Sequence, residues 1–135
     1  MLTDRDIEIV RDDWEKVELI ADQAATLLYD RMFALDRDLR LMFPLDLGEQ
    51  KLKVIRMLGA AIHGLSDPAV LEPVLRNLGR KHFELGVRDQ DYETLAQALL
   101  WTLRQGLGAA FDAEHEAAWR RAYAALAARM RADIH

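Results

Sequence analysis

The sequence predicts an all-α protein of roughly six to eight helices, organised as one domain over residues 1–135. Apolar residues recur at helical spacing along nearly the whole chain. No stretch alternates between apolar and polar residues for long enough to predict a strand. Glycine and proline residues interrupt the helical pattern at a few separated places, and they divide it into segments of ordinary helix length.

Two amphipathic segments open the chain. In the first, Thr3 is the expected N-cap, and Asp6 completes a weak capping box. The apolar stripe of this segment consists of Ile7, Val10, Trp14 and Val17. The second segment spans about residues 21 to 34, and its stripe consists of Ala25, Leu28 and Met32, with Tyr29 at the edge. Both stripes have the spacing of one helix face, so both are expected to pack on a core.

Two breaks in the middle of the chain separate two further helices. The first break, residues 44–48, contains Asp46 as the expected cap of the next helix. The apolar row of that helix consists of Val54, Leu58, Ala61 and Leu65. The second break, residues 64–68, ends at Pro68, which suits the first turn of a helix. This helix extends to about residue 83 and stops near Gly86, a residue type that favours helix ends.

Two longer helices complete the predicted fold. The first carries an apolar row of Tyr92, Leu95, Leu99 and Leu103. It ends around Gly106 and Gly108, since glycine favours helix C-termini. The second begins near Asp112, and its stripe consists of Trp119, Tyr123, Leu126 and Met130.

Composition narrows the classes of partner. Lys and Arg total 18 against 23 Asp and Glu, a formal charge of −5, which argues against a nucleic acid or a membrane as the main partner. The absence of cysteine excludes disulfides and thiolate chemistry. The charged N-terminus lacks the apolar stretch of a signal peptide, and no window reaches the ~20 apolar residues of a membrane-spanning helix. A soluble, cytoplasmic protein is therefore expected.

Common catalytic motifs are absent from the sequence. The histidines form no HExxH pair, and no glycine-rich phosphate loop or GxSxG elbow occurs. His63, His115 and His135 are expected to be structural or exposed. His82 differs, because it continues the apolar row of Leu75 and Leu78 and should face the interior.

Two roles fit such a histidine. It is either a buried side chain satisfied by a backbone carbonyl or an axial ligand of a haem iron. In the second role its other ring nitrogen would donate to a backbone carbonyl. Spacing alone leaves both roles open.

Three motifs in order carry a family resemblance. LGRKHFELGV, residues 78–87, is similar to the segment around the proximal histidine of globins, especially neuroglobin-like and bacterial single-domain globins. LLYDRMFALDRDLRLMF, residues 27–43, resembles the stretch of bacterial haemoglobins and flavohaemoglobins that leads to the globin phenylalanine. GLGAAFDAEHEAAWRRAY, residues 106–123, resembles the entry into the last globin helix, with Trp119 in place. The resemblance implies a bacterial single-domain haemoglobin, with a three-over-three helical sandwich around one haem b (iron protoporphyrin IX).

The resemblance also implies residue roles around the haem. His82 matches the proximal iron ligand, and Phe43 matches the aromatic residue that packs on the porphyrin. Tyr29 matches the distal tyrosine of bacterial haemoglobins. Gln50 falls at the distal ligand-facing position, where vertebrate globins have histidine, with Val54 one turn later. The residues alone also allow Tyr29 to be an ordinary boundary tyrosine and Gln50 to be solvated.

Further roles are implied on the proximal side and at the pocket edge. Tyr92 matches the tyrosine that reaches toward the proximal histidine. Leu78, Val87 and Leu95 should line the pocket, and Lys53, with Lys81, should pair with haem propionates unless both are simple surface charges. The glutamate of the flavohaemoglobin proximal relay is replaced by Ile134, with Asp133 beside it, so this relay is expected to be incomplete.

The resemblance implies reversible, high-affinity binding of oxygen or a related diatomic ligand, because Tyr29 and Gln50 are both hydrogen-bond donors. Turnover of nitric oxide would need a separate reductase, since these residues hold no flavin or nicotinamide domain. A monomer or a weak homodimer is expected. Two alternatives stay open: a gas- or redox-sensing globin that acts through a partner, and a haem-free helical interaction module.

Overall fold

The computed structural model describes residues 2–132, which contain helices and no strand. The α-helices of this range are α1 (Asp4–Glu18), α2 (Ala21–Leu35), α3 (Gly48–His63), α4 (Pro68–Glu84), α5 (Asp89–Leu107) and α6 (Ala113–Arg131). Short 3-10 helices occupy Arg37–Met42, Gly64–Ser66 and Gly108–Ala110. The predicted all-α class is confirmed.

Local signals set most helix ends. Thr3 forms the predicted capping box, in which its hydroxyl accepts from the Asp6 amide and the Asp6 carboxylate accepts from the Thr3 amide. Pro68 occupies the first turn of α4. Gly108 ends α5 with a φ of +58°, a left-handed conformation that glycine adopts without strain. Asp112 caps α6 by accepting from the His115 amide at 3.0 Å.

The start of α3 differs from the prediction. The N-cap is Leu47, which makes no side-chain capping bond, and not Asp46. Asp46 still acts locally, because its Oδ1 accepts from the Gly48 amide at 2.9 Å. This bond holds the turn that leads into α3. A side chain two residues before the first helical residue thus replaces the usual N-cap.

The core lies between α1, α2, α5 and α6. Tyr29, expected at the edge of a stripe, is only 3% exposed and belongs to this core. The Trp14 and Trp119 rings lie 6.3 Å apart and join α1 to α6. Further buried members are Ile9, Val10, Val17, Leu28, Leu99, Leu100, Leu103 and Ala118.

The way the helices pair keeps α3 and α4 from packing extensively on each other within residues 2–132. Helix α2 packs on α5 and on α3, α1 packs on α6, and α4 packs on α6. The residues expected to face a ligand lie on α3, on α4 and on α2. None of the helices in this range is both long enough and apolar enough to cross a bilayer.

Candidate functional site

Three aromatic rings cluster where α2 meets the segment after it. The Tyr29 ring centroid lies 5.5 Å from that of Phe43 in an edge-to-face arrangement and 5.8 Å from that of Phe33. Phe33 and Phe43 are 5.6 Å apart. Phe33 was not predicted from the sequence, although its position four residues after Tyr29 places both rings on one helix face. The structure thus brings Tyr29 and Phe43 together and adds a third ring.

Gln50 completes this cluster from α3. Its amide Nε2 donates to the Tyr29 hydroxyl oxygen at 3.1 Å. Burial raises the pKa of Tyr29, so its phenol stays neutral at physiological pH. The hydroxyl oxygen accepts the Gln50 bond, and its proton therefore remains available to a further acceptor. Tyr29 is therefore not a boundary tyrosine, since it is buried, and the Gln50 amide is not simply solvated, since it bonds to Tyr29.

His82 lies on α4 with one buried ring nitrogen left without a partner. Its Nδ1 is buried, and it neither donates nor accepts a hydrogen bond within the described part of the chain. The expected bond to a backbone carbonyl is therefore not formed. Burial lowers the pKa of His82, so the imidazole is neutral near pH 7. The unpaired Nδ1 thus lacks the backbone bond that both roles include, while a neutral imidazole is what a haem iron requires.

Tyr92 on α5 lies next to His82. The two rings are nearly perpendicular, at 86°, with centroids 6.3 Å apart. The Arg131 guanidinium lies over the Tyr92 ring, 5.0 Å from its centroid. The Tyr123 hydroxyl donates to the Tyr92 backbone carbonyl at 2.6 Å. Arg131 and Tyr123 were not predicted as neighbours of Tyr92. The relay positions Asp133 and Ile134, and His135, lie outside the described residues.

A single glycine positions α4 on α6. A Cβ placed on Gly79 would overlap the carbonyl oxygen of Met130 and lie 2.9 Å from its Cα. The helices approach so closely here that no side chain fits between them. His82 is one turn further along α4, so this contact helps to fix where the imidazole sits.

The faces that carry Gln50 and His82 leave apolar side chains uncovered. The face of α3 consists of Gln50, Val54 and Met57, at spacing i, i+4 and i+7. The face of α4 consists of Val74, Leu78 and His82, at spacing i, i+4 and i+8. Met57 is 39% exposed and Val74 is 57% exposed, although both are apolar. An apolar cofactor that covered these side chains beside the neutral imidazole of His82 would account for their exposure, so the residues present fit a haem.

The remaining predicted residues are more dispersed. Leu78, Val87 and Leu95 are partly buried, and Leu95 packs against the core. Lys53 and Lys81 are exposed, which is compatible both with pairing to haem propionates and with simple surface charges. Val54 is partly buried and packs against the core from α3.

Two cavities have Tyr92 in their walls. The larger, about 740 Å³, is lined by α5 and α6, and its wall includes Tyr92, Trp119 and Tyr123. The smaller, about 320 Å³, includes Val87 and Tyr92. Neither is lined by the distal pair or by His82 in the described part of the chain.

His63 and His115 have no place in this site. His63 is exposed at the end of α3. His115 is structural, because its Nδ1 lies 2.7 Å from Oδ2 of the fully buried Asp13, which also accepts from Trp119 Nε1 at 3.0 Å. Across residues 2–132, no group of three or more His, Asp or Glu side chains is close enough to hold a metal ion by itself.

Comparison with known proteins identifies the family. The model of the globin family matches residues 26–130. The chain is 30% identical to the neuroglobins of Chaenocephalus aceratus and Tetraodon nigroviridis over 143 aligned positions, which cover 96% of this chain and 90% of each relative. The neuroglobin of Danio rerio is 29% identical over the same coverage. The chain belongs to the globin family and is a haem-binding globin, as the motifs predicted.

Proposed function

We propose that this globin holds one haem b between α3 and α4, with His82 as the proximal iron ligand, and binds oxygen reversibly with high affinity. The observation that carries the oxygen proposal is the hydrogen bond from Gln50 to the Tyr29 hydroxyl. It orients a neutral phenol whose own proton is left for a polar ligand in the pocket. When bound, haem supplies an iron atom with an open coordination position for a diatomic gas.

Each residue of the site has a separate task in this proposal. His82 offers a neutral imidazole, because burial lowers its pKa and removes competition from a proton. Phe43 packs an apolar ring on the cofactor face while its edge contacts Tyr29. Val54, Leu78, Val87, Tyr92 and Leu95 complete the apolar surroundings, and Lys53 and Lys81 neutralise the propionates.

Tyr29 and Gln50 account for the expected affinity. A hydrogen bond to a charged acceptor in a buried site contributes about 1.5–3 kcal/mol, and about 1.4 kcal/mol changes an equilibrium tenfold. One such bond therefore strengthens retention by about tenfold or more. Slow release suits storage or chemistry better than transport. The proposal accordingly extends to turnover of nitric oxide with electrons from a separate reductase, in a cytoplasmic monomer or weak homodimer of one globin domain.

Visible absorption spectra test this proposal. The purified protein is titrated with ferric haem, reduced with dithionite and then exposed to oxygen, in parallel with His82→Ala and the control His63→Ala. We expect a Soret band that shifts on reduction and again with oxygen in the wild type and in His63→Ala, and loss of most haem in His82→Ala. Full retention by His82→Ala with an unaltered spectrum would remove the proximal assignment. No haem uptake by the wild type would favour a helical interaction module.

A further inference from the structure

An arginine outside the predicted site holds the irregular segment that joins the two halves of the distal pocket. Phe43 ends the first 3-10 helix, and α3 begins only at Gly48. The backbone carbonyls of Phe43, Pro44 and Leu45 receive no backbone hydrogen bond in the described structure. Side-chain donors that bond to these carbonyls fix the path of such a segment, whereas bonds to water alone leave it free to change.

Arg40 supplies all three bonds. Its Nη1 donates to the Phe43 carbonyl at 3.3 Å and to the Pro44 carbonyl at 2.9 Å, and its Nη2 donates to the Leu45 carbonyl at 2.9 Å. The guanidinium group also lies over the Phe33 ring, 5.5 Å from its centroid. The planar fork of five N–H donors can reach three successive carbonyls at once, whereas the single ammonium of lysine is a poor match for this geometry.

The segment held in this way separates two residues that both touch Tyr29. Phe43, at the start of the segment, contacts the Tyr29 ring, and Gln50, just beyond the end of the segment, donates to the Tyr29 hydroxyl. A change in the path of residues 43–47 would therefore move the Gln50 amide relative to the Tyr29 oxygen. Asp46 restrains the far end through its bond to the Gly48 amide, and Arg40 restrains the near end.

We propose that Arg40 is a positioning residue of the distal pocket: by holding the carbonyls of residues 43–45, it sets the register between Phe43 and Gln50 and so keeps the Gln50 amide on the Tyr29 hydroxyl. Arg40 itself needs no contact with cofactor or ligand. Its effect on gas binding rests on the proposed function, but its effect on the path of residues 43–47 does not.

The first test uses the protein without haem. Backbone amide exchange is measured at Gly48 and Lys51, whose N–H groups bond to Asp46 Oδ1 and to the Leu47 carbonyl. We expect about tenfold faster exchange at both amides in Arg40→Gln and in Arg40→Lys, because local opening becomes easier. The control Arg37→Gln changes an exposed arginine of the same 3-10 helix and should leave exchange unchanged. Wild-type exchange rates in Arg40→Gln would overturn the proposal.

The second test uses the haem-loaded protein and asks whether the shape of the side chain matters. We expect oxygen dissociation to quicken about tenfold in Arg40→Lys and Arg40→Gln, as for loss of one distal hydrogen bond. A role based only on positive charge over Phe33 would be rescued by lysine, so wild-type dissociation in Arg40→Lys would contradict the positioning role. If the wild type takes up no haem, the proposed function fails while the exchange experiment still decides the role of Arg40.

Discussion

Gly79 of α4 lies directly against the backbone carbonyl of Met130 in α6, at a distance that excludes even a methyl group. Backbone atoms cannot move aside as the end of a flexible side chain can. The position of α4 on α6 is therefore set by the absence of a Cβ at one residue. Because His82 lies one turn later, this packing contact belongs to the geometry of the site.

We expect Gly79→Ala to weaken haem retention and to destabilise the protein. Overpacking costs about 1–3 kcal/mol, and it exceeds the gain of about 1 kcal/mol that alanine offers over glycine inside a helix. The free energy of unfolding is measured with urea, and haem loss is followed by the Soret band.

Gly106→Ala is the matched control for this substitution. A Cβ there would meet only the Ile20 Cδ1 at 3.4 Å, an ordinary contact with a side chain that can move. We expect Gly106→Ala to be neutral or stabilising, by about 0.5–1 kcal/mol. Equal behaviour of the two variants would show that α4 adjusts freely on α6.

Tyr29→Phe removes one hydroxyl and keeps the ring that contacts Phe33 and Phe43. We expect oxygen dissociation from the haem-loaded protein to quicken by about tenfold or more, since a hydrogen bond to a charged acceptor is worth about 1.5–3 kcal/mol. The rate is measured by stopped-flow mixing of the oxygenated protein with a scavenger of free oxygen.

Tyr123→Phe provides the control for hydroxyl removal. The Tyr123 hydroxyl bonds to the Tyr92 carbonyl, not to the distal cluster, so its loss should leave oxygen dissociation within about twofold of the wild type. An unchanged rate in Tyr29→Phe would mean that this hydroxyl does not reach the ligand.

Local chemistry explains which parts of the fold the sequence could predict. The Thr3 capping box, the proline in the first turn of α4 and the Asp112 cap each depend on residues within one helical turn. Such signals are present in the sequence itself. Tyr29 and Gln50 were placed together in the predicted distal pocket only through resemblance to a family, because nothing local reveals that a tyrosine of one helix meets a glutamine of the next.

The parts that could not be predicted depend on how distant helices approach. Asp13 meets His115 across 102 positions of sequence, and no spacing rule links a carboxylate of the first helix to a histidine of the last. Gly79 is visible in the sequence only as a glycine inside a helix. The Met130 carbonyl that requires it depends on the crossing of α4 and α6, which is a property of the packed molecule.

Asp13→Ala tests the buried polar contact between α1 and α6. Asp13 is fully buried, and its Oδ2 accepts from Trp119 Nε1 and contacts His115 Nδ1. Its loss leaves the indole donor unpaired inside the core, so we expect the free energy of unfolding to fall by about 3 kcal/mol. Urea unfolding is the measurement. Asp12→Ala, an exposed neighbour on the same helix, should change stability by less than about 0.5 kcal/mol.

Comparable losses in these two variants would mean that the Asp13 contacts contribute nothing beyond the general effect of replacing an aspartate in α1. A large loss confined to Asp13→Ala would show that its contacts with Trp119 and His115 stabilise the packing of α1 on α6. His115 is thus paired within the fold, unlike His82, whose buried nitrogen has no protein partner.

Asp6 gives a pH-dependent prediction. Its carboxylate is nearly buried and accepts two bonds from Arg121, each at 2.8 Å, which hold the Asp6 pKa well below its usual range. We expect Asp6→Asn to lower the free energy of unfolding by about 2 kcal/mol at pH 7, since it removes hydrogen bonds to a charged group. Urea unfolding is measured for both proteins between pH 7 and pH 3.

The sign of the pH effect follows from the lowered pKa. Above about pH 5 the carboxylate is ionised in both folded and unfolded chains, so its stabilising effect is fully present. Below that pH the unfolded chain takes up a proton first, and the advantage of the wild type shrinks by up to about 1.4 kcal/mol per pH unit. A constant difference between wild type and Asp6→Asn down to pH 3 would mean that the ion pair with Arg121 does not form in solution.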